Sequence, residues 1–467
     1  MNPKSDFDYN REGCIIVDMK NKSQFVCQQC GAVYKKWVGQ CMNCQAWNSL
    51  MEQVVESENG RKTAIEKGRV SGKKLDFVKI ATITPSDAKA RLLTEFKDLD
   101  VVLGGGILMG SVCLLAGQPG IGKSTLLMQI CAVVAKNHNV LYVSGEESAG
   151  QVKLRAVRLG AESDKLSFAA STSANDIAKT IETGEFDLVI VDSIQTLAMD
   201  EISSAPGTVS QVTNCGNLII RAAKSTDTAV VIVGHVTKDG TLAGPKVLEH
   251  LVDVVLNFEG DRYGGFKTVR AVKNRFGSTN EVAIFEMIAS GLKEVSNPSE
   301  ALLAERTNTD GSIILATLEG NRPILVEIQA LCTKSNYGYP KRTASGFDLN
   351  RLNLLIAVLE RRTKLKLSEQ DIFVNVVGGM RLNDSAADLA VCMAIASAVA
   401  GRKLGDEYVV FGEVGLGGEI RSAFRADQRI AEAKKLGFKH AIGPATVHDK
   451  FVIPAKDLRT TLIKYVK

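Results

Sequence analysis

At 467 residues, 45% of them hydrophobic and 23% charged, the chain is too long for one compact core, and two or three globular domains are expected. The formal net charge of +5 permits a nucleic-acid partner without requiring one. No run of about eighteen apolar residues is present, and Asp6, Asp8 and Glu12 stand where an apolar leader would lie; no membrane span, no secretory signal and a cytoplasmic location are predicted.

In chain order, residues 1–22 read as a polar tail, and Cys27-x-x-Cys30 with Cys41-x-x-Cys44 mark a small block over 23–50. Two such knuckles let four thiolates converge on one tetrahedral ion, the chemistry of structural Zn2+. With Val26, Val33, Trp37 and Trp47 as its apolar complement, the block is expected to need that metal to fold. Four protein ligands leave no open position for catalysis at the metal; a redox role for the cysteine pairs is the weaker alternative. The other six cysteines (Cys14, Cys113, Cys131, Cys215, Cys332 and Cys392) are scattered and read as small buried hydrophobes. Residues 51–90, with Arg61, Lys62, Lys67, Arg69, Lys73 and Lys74, read as a solvated linker or as a basic arm grazing DNA.

From 91 to 296 short apolar runs alternate with helix-length segments. Strands are predicted at 112–116, 140–144, 188–192, 229–234, 252–258 and 268–272. That alternation implies a mostly parallel sheet with crossover helices, and ligands at the carboxyl ends of its strands. Directly after the first strand, Gly117-Gln118-Pro119-Gly120-Ile121-Gly122-Lys123-Ser124-Thr125 fits G-x-x-x-x-G-K-[S/T], and Leu126, Leu127, Ile130, Val133 and Val134 follow at helical spacing. Glycines let backbone N–H groups face a phosphate, and the helix N-terminus adds a favourable dipole. Lys123 would reach the terminal phosphates of ATP and Ser124 would ligate Mg2+.

Asp192 ends an apolar strand, the position of a second Mg2+ group, unless it only caps the following segment. Glu146 and Glu147 end the strand next in sequence; Glu146 is the candidate base and Glu147 its supporter or substitute, against the alternative of acids placed at a helix N-terminus for dipole reasons. Lys273-Asn274-Arg275-Phe276-Gly277 is a basic turn in a monomer; in a ring, Lys273 and Arg275 could reach a neighbour's γ-phosphate. After 297 the texture changes to an α+β domain over 297–467, with strands predicted at 312–318, 324–330 and 373–377 and helices at 349–361 and 385–400.

Asp100-x-x-Leu103-Gly104-Gly105-Gly106, the phosphate loop, the Gly145-Glu146-Glu147 turn and the Asp192 strand together resemble the RecA class of motor ATPases. With the four-cysteine block and the Lys-Asn-Arg-Phe-Gly string, the chain is identified as a member of the bacterial RadA (Sms) family over about 25–467. The resemblance implies an α/β RecA-like P-loop ATPase over 91–296, an N-terminal zinc ribbon over 23–50 and a Lon-protease-like domain over 297–467. It further implies a hexameric, DNA-dependent ATPase of homologous recombination and repair. Such a motor would act on single-stranded and branched DNA beside the RecA recombinase, by branch migration or helicase-like translocation, with ATP, Mg2+ and Zn2+ as cofactors.

By the same resemblance, Lys123, Ser124 and Asp192 match nucleotide and Mg2+ positions and Glu146 the catalytic carboxylate. Lys273 and Arg275 match a motif coupling the neighbour's nucleotide to DNA. Residues 234–240, with Lys238 reaching DNA, resemble a sensor strand running into a DNA-binding loop; 199–212 resemble the other central loop. In the C-terminal domain, Gly412-Glu413-Val414-Gly415-Leu416 and Asp384-Ser385-Ala386-Ala387 resemble Lon proteases, but Ala386 falls at the nucleophile's place and Asp427 at the lysine's. A shift of one residue along a helix to Ser385 turns the side chain by about 100°, so peptidase activity is not expected. A ring scaffold with a basic surface of Arg381, Arg402, Lys403, Arg421, Arg425 and Arg429 is the better reading. An ATP-dependent protease and an ATP-driven assembly without DNA are the alternatives.

Overall fold

The computed structural model describes residues 22–27, 32–47, 49–55, 79, 81, 90–235, 247–260, 265–335 and 338–466. The chain divides into two compact units, Met1–Asp87 and Ala88–Lys467.

In the first unit, β1 (Lys22–Cys27), β2 (Val33–Tyr34) and β3 (Leu50–Val55) form an antiparallel sheet in the order β2-β1-β3. Two tight turns, closed by Cys27 N–H to Ala32 O and Cys41 N–H to Ala46 O at 2.9 Å each, bring cysteine sulfurs together. Among the described residues its core is Cys27, Cys41 and Leu50, backed by Phe25, Ala32, Tyr34 and Val38. The two tryptophans stand outside it: Trp37 is 54% and Trp47 72% exposed.

The second unit is built on two sheets. The larger contains β4 (Val112–Gly117), β5 (Val140–Ser144), β6 (Leu166–Ala170), β7 (Leu188–Asp192), β8 (Ala229–His235), β9 (Val254–Gly260), β10 (Lys267–Asn274), β11 (Val282–Ile288) and β12 (Gly291–Glu294). Their spatial order is β12-β11-β10-β9-β4-β8-β7-β5-β6. The six strands from β9 to β6 pair in parallel, and β10, β11 and β12 continue the sheet antiparallel. Strands β4, β5 and β7 are buried along their whole length, as continuous apolar runs covered on both faces should be.

Alternation assigns Cys113 and Leu115 to the face covered by α1 (Lys123–Val134). Val112 and Leu114 fall on the face covered by α2 (Ala174–Glu182) and α3 (Val209–Thr226). Three strands escape the sequence pattern. β6 is an edge strand with only partly buried residues, Leu-Ser-Phe-Ala-Ala, which lacks a sustained apolar run. β11 and β12 form a hairpin whose role is tertiary: the Glu294 carboxylate accepts the N–H groups of Lys97 and Asp98 at 3.0 and 2.8 Å, starting the short helix Lys97–Val102.

The second sheet runs, in spatial order, through Arg342–Ser345, Gln370–Val376, Arg322–Lys334, Ser312–Glu319, Tyr408–Val410, His440–Pro444 and Val452–Ala455. The helices Leu349–Thr363 and Asp388–Ala400 belong to its core, the second buried from Asp388 to Ser397. The two sheets are tied by charge. Arg270 of β10 pairs with Glu319 at 2.5 Å, and Arg322 pairs with Asp98.

One member of the expected basic surface is misplaced by sequence alone. Arg429 is 1% exposed; its guanidinium pairs with Asp384 and donates to Ala316 O at 2.7 Å and Phe424 O at 3.1 Å. Nothing at the level of helix charge pattern distinguishes a buried arginine from a solvated one. Among the described residues, no helix is long and apolar enough to cross a membrane.

Candidate nucleotide site and cysteine cluster

Register builds the site. Parallel pairing sets His235 of β8 beside Gly117 of β4, and Ser144 of β5 beside Asp192 of β7. The phosphate loop, the Gly-Glu-Glu turn, Asp192 and His235 therefore meet at the carboxyl ends of adjacent strands, where α/β sheets bind ligands. Gly122 holds φ at +119°, and a Cβ there would lie 2.8 Å from Met287 Cε, so the loop needs glycine at its junction with α1.

Lys123 is 5% exposed and its ammonium is folded onto the loop, donating to Gly117 O at 2.8 Å and Gln118 O at 3.0 Å. It also donates to His235 Nδ1 at 3.3 Å. With Nδ1 accepting, His235 carries its proton on Nε2, which faces Glu146 Oε1 at 3.5 Å. Burial lowers the Lys123 pKa to about 8, against the opposing pull of Asp192 and Glu146. A phosphate arriving here would replace weak carbonyl contacts with full negative charge.

Ser124 Oγ donates to Asp192 Oδ2 at 2.7 Å, and the buried Tyr142 hydroxyl donates to the same oxygen at 2.6 Å. An Mg2+ ion takes hard oxygen ligands, and this hydroxyl and carboxylate are donors of that kind, set side by side at the start of α1. Glu146 is exposed on one side and accepts from Ser193 Oγ at 2.7 Å. Glu147 is different: both of its oxygens are taken by the Arg155 guanidinium. Glu147, expected as supporter or substitute of Glu146, is thus held in an ion pair, with one lone pair of each oxygen engaged by Arg155. Tyr142, Ser193 and Arg155 have no role at the site on sequence grounds, and His235 only a place in the 234–240 segment read as a sensor strand. A lone histidine closing the apolar run of β8 was the one local signal available.

Lys273 and Arg275 sit at and just after the end of β10. The Lys273 ammonium is held by Glu249 O, His250 O and Val252 O at 2.8, 3.1 and 2.8 Å, the carbonyl end of the short helix Val247–Leu251. Arg275 is 56% exposed in its side chain and lies 3.4 Å from Asp253. The rest of the string is structural. Asn274 donates to Val102 O at 2.9 Å, and a Cβ on Gly104 (φ +81°) would lie 2.7 Å from Phe276 O. The Lys-Asn-Arg-Phe-Gly turn thus packs directly on the Leu-Gly-Gly-Gly turn upstream of β4. Lys238 and the rest of 236–246 lie outside the described residues; the 199–212 segment includes Gln211, whose amide is bound to backbone at Met199, Ile202 and Ser204.

In the C-terminal part of the second unit, Ala386 is buried in the 3-10 turn Ser385–Ala387, Ser385 donates to Glu413 Oε2 at 2.8 Å, and Asp427 lies in the first turn of the helix Ala426–Lys435.

In the first unit, the sulfurs of Cys27, Cys41 and Cys44 lie within 4.8 Å of one another, with Cys27 and Cys44 3.6 Å apart. Tetrahedral thiolate–zinc bonds of about 2.3 Å place sulfurs roughly 3.8 Å apart, so the cluster fits the ion. Cys30 lies outside the described residues. Tyr34 and Ser49 hydroxyls lie 3.3 and 3.2 Å from Cys41 and Cys27 sulfurs, contacts that orient metal thiolates.

A family model described as AAA domain matches residues 81–241, one described as Rubredoxin metal binding domain matches 25–52, and one described as Subunit ChlI of Mg-chelatase matches 353–447. The DNA repair protein RadA of Halalkalibacterium halodurans is 48% identical over 93% of this chain and 95% of its own length. Those of Bacillus subtilis and Brucella abortus are 46% and 45% identical, over 93% and 91% of this chain and 95% and 92% of theirs. The chain belongs to the RadA family of DNA repair proteins. It has the family's parts in order: a zinc ribbon, a RecA-like ATPase domain and a ChlI- or Lon-like C-terminal domain. The solved RadB recombinase overlaps 44% of this RadA-family chain and all of its own, with 20% identity and a TM-score of 0.36.

Proposed function

We propose that the chain is a DNA-dependent ATPase motor that processes recombination intermediates on single-stranded and branched DNA, by branch migration or helicase-like translocation beside RecA. The observation that carries this reading is the convergence of Lys123, Ser124, Asp192, Glu146 and His235 on the carboxyl edge of one parallel sheet. ATP would lie with its phosphates against the N–H groups of Gly120–Thr125 and the Lys123 ammonium. Ser124 and Asp192 would hold Mg2+, which neutralises phosphate charge when bound. Glu146, oriented by Ser193, would accept the proton of the attacking water, and His235 would join that carboxylate to Lys123 so that loss of the γ-phosphate is felt at the end of β8.

Arg275 has the exposure to reach a neighbouring subunit's γ-phosphate in a hexameric ring, and Lys273, half-buried and bonded to its own chain's carbonyls, holds the helix after 236–246. In this reading residues 23–50 form a ribbon closed on Zn2+ by Cys27, Cys30, Cys41 and Cys44, residues 91–296 the motor, and 297–467 a scaffold without peptidase activity, Ser385 being paired to a carboxylate and not to an amine. The test is ATP turnover with and without single-stranded DNA. Stimulation by the strand, abolished by Lys123→Ala, is expected; turnover indifferent to DNA in a chain that also fails to bind it overturns the motor reading.

A further inference from the structure

Trp37 and Trp47 are the only two tryptophans in the chain. Both belong to the small first unit, whose core among the described residues does not include them, and both present more than half of their surface to solvent. They are not scattered. A Cβ built on Gly39 would lie 3.8 Å from Cη2 of Trp37 and 3.8 Å from Cζ3 of Trp47, so the two indoles flank one glycine. Their backbone is held in place by the cysteine turns. Trp47 bridges to Gln40, the Gln40 side chain donates to Gln45 O at 2.8 Å, and Cys41 N–H closes on Ala46 O.

The charged residues in the stretch that carries this pair have one sign. Lys35 and Lys36 immediately precede Trp37 and are exposed, and no carboxylate occurs anywhere from Ala32 to Ser49. Solvent-exposed indoles are unfavourable unless something covers them, and contiguous apolar surface of this kind marks a binding face. Aromatic rings beside cations, with acids excluded, suit one class of ligand: unpaired bases stack on the rings while lysines meet the phosphates. A duplex keeps its base faces stacked on each other, and an apolar protein surface has no use for two adjacent exposed cations.

We propose that the Trp37–Trp47 face is a stacking platform for single-stranded nucleic acid, with Lys35 and Lys36 on the backbone phosphates. The inference rests on the DNA-motor reading for the identity of the strand. It gives the ribbon a direct hold on the polymer that the ATPase works on.

The chain's intrinsic tryptophan emission reports this face and nothing else. Full-length, zinc-loaded protein is titrated with fluorescein-labelled oligo(dT), following label anisotropy and tryptophan emission together. Emission is expected to be quenched in step with binding. Trp37→Ala and Trp47→Ala are each expected to weaken affinity by about 5- to 100-fold, the range set by one base–aromatic stack. Trp47→Phe should recover most of the loss, and Lys35→Ala should reduce the salt slope by about one ion. Zinc content measured on each variant shows that the ribbon is still folded. If the oligonucleotide binds with emission unmoved and all variants unchanged, the platform is refuted while the motor reading stands. Absence of any anisotropy change, together with turnover indifferent to DNA, sinks both.

Discussion

The two adjacent carboxylates of the Gly-Glu-Glu turn should separate cleanly on substitution. Glu146 offers a carboxylate with one oxygen oriented by Ser193 and one face open, whereas both Glu147 oxygens are bound by Arg155. Glu146→Gln removes the proton acceptor but keeps shape and the Ser193 contact. Turnover should fall by about 10²- to 10⁴-fold, the usual contribution of a positioned general base, or roughly 3–5 kcal/mol of barrier. Nucleotide affinity should change little, because Glu146 makes no contact with the phosphate loop backbone. Glu147→Gln acts on folding instead. Losing charge-assisted bonds in a half-buried pair costs about 1–2 kcal/mol after solvent screening, with turnover within a few-fold of the unaltered chain. The assay is steady-state phosphate release, paired with binding of a fluorescent ATP analogue and urea unfolding. A Glu147→Gln loss of turnover equal to that of Glu146→Gln would refute the assignment.

Nucleotide affinity should also depend on pH through Lys123. Its amine falls from 10.5 to about 8 in the free chain because it is buried, and a bound phosphate favours the charged form. Above about pH 8 the free protein has lost a proton that the complex keeps, so binding takes one up and affinity weakens as pH rises; calorimetry in two buffers of different ionisation enthalpy measures it, and no uptake at alkaline pH contradicts the reasoning. Arg275→Ala is expected to abolish DNA-coupled turnover while leaving nucleotide binding by the isolated subunit intact, whereas Lys273→Ala, which strips three carbonyls of their donor, should additionally lower thermal stability. Equal stability of the two variants, read by differential scanning fluorimetry, argues against that division. Arg429→Met leaves the half-buried Asp384 carboxylate without its cation, though still bonded to Thr317, Leu318 and Ala386, and should cost about 2–4 kcal/mol in denaturant unfolding, part of it recovered by adding Asp384→Asn. Burial alone would raise the Asp384 carboxyl, but Arg429 and two further donors hold it below its ordinary 3.8. Its contribution is therefore present at neutral pH and lost as pH falls through that depressed value.

Much of the site was legible because its chemistry is local. The phosphate loop is nine consecutive residues whose glycines, lysine and hydroxyl are spaced by backbone geometry alone, and the cysteine knuckles likewise. The long apolar strands announced themselves because a parallel strand covered on both faces must be apolar throughout. The Arg155 lock on Glu147, the Tyr142 hydroxyl on Asp192 and the His235 link from Lys123 to Glu146 were not legible. Tyr142 and Asp192 stand on neighbouring strands and Lys123 lies 112 positions from His235, and no local periodicity encodes a contact made by strand register; Arg155 lies only eight positions from Glu147, a spacing outside the i,i+3 and i,i+4 pairs that a helix pattern signals. Burial of Arg429 and exposure of Trp37 and Trp47 reverse what residue type alone suggests. In both cases neighbours decide: a carboxylate and two carbonyls solvate the arginine inside, and a core already closed on cysteine leaves the indoles outside. The sequence by itself determined which chemical groups are present and in what order along the chain. Tertiary structure decided which groups the two adjacent glutamates meet, Ser193 for Glu146 and Arg155 for Glu147, because neighbours in space, and not identity, set a side chain's partners.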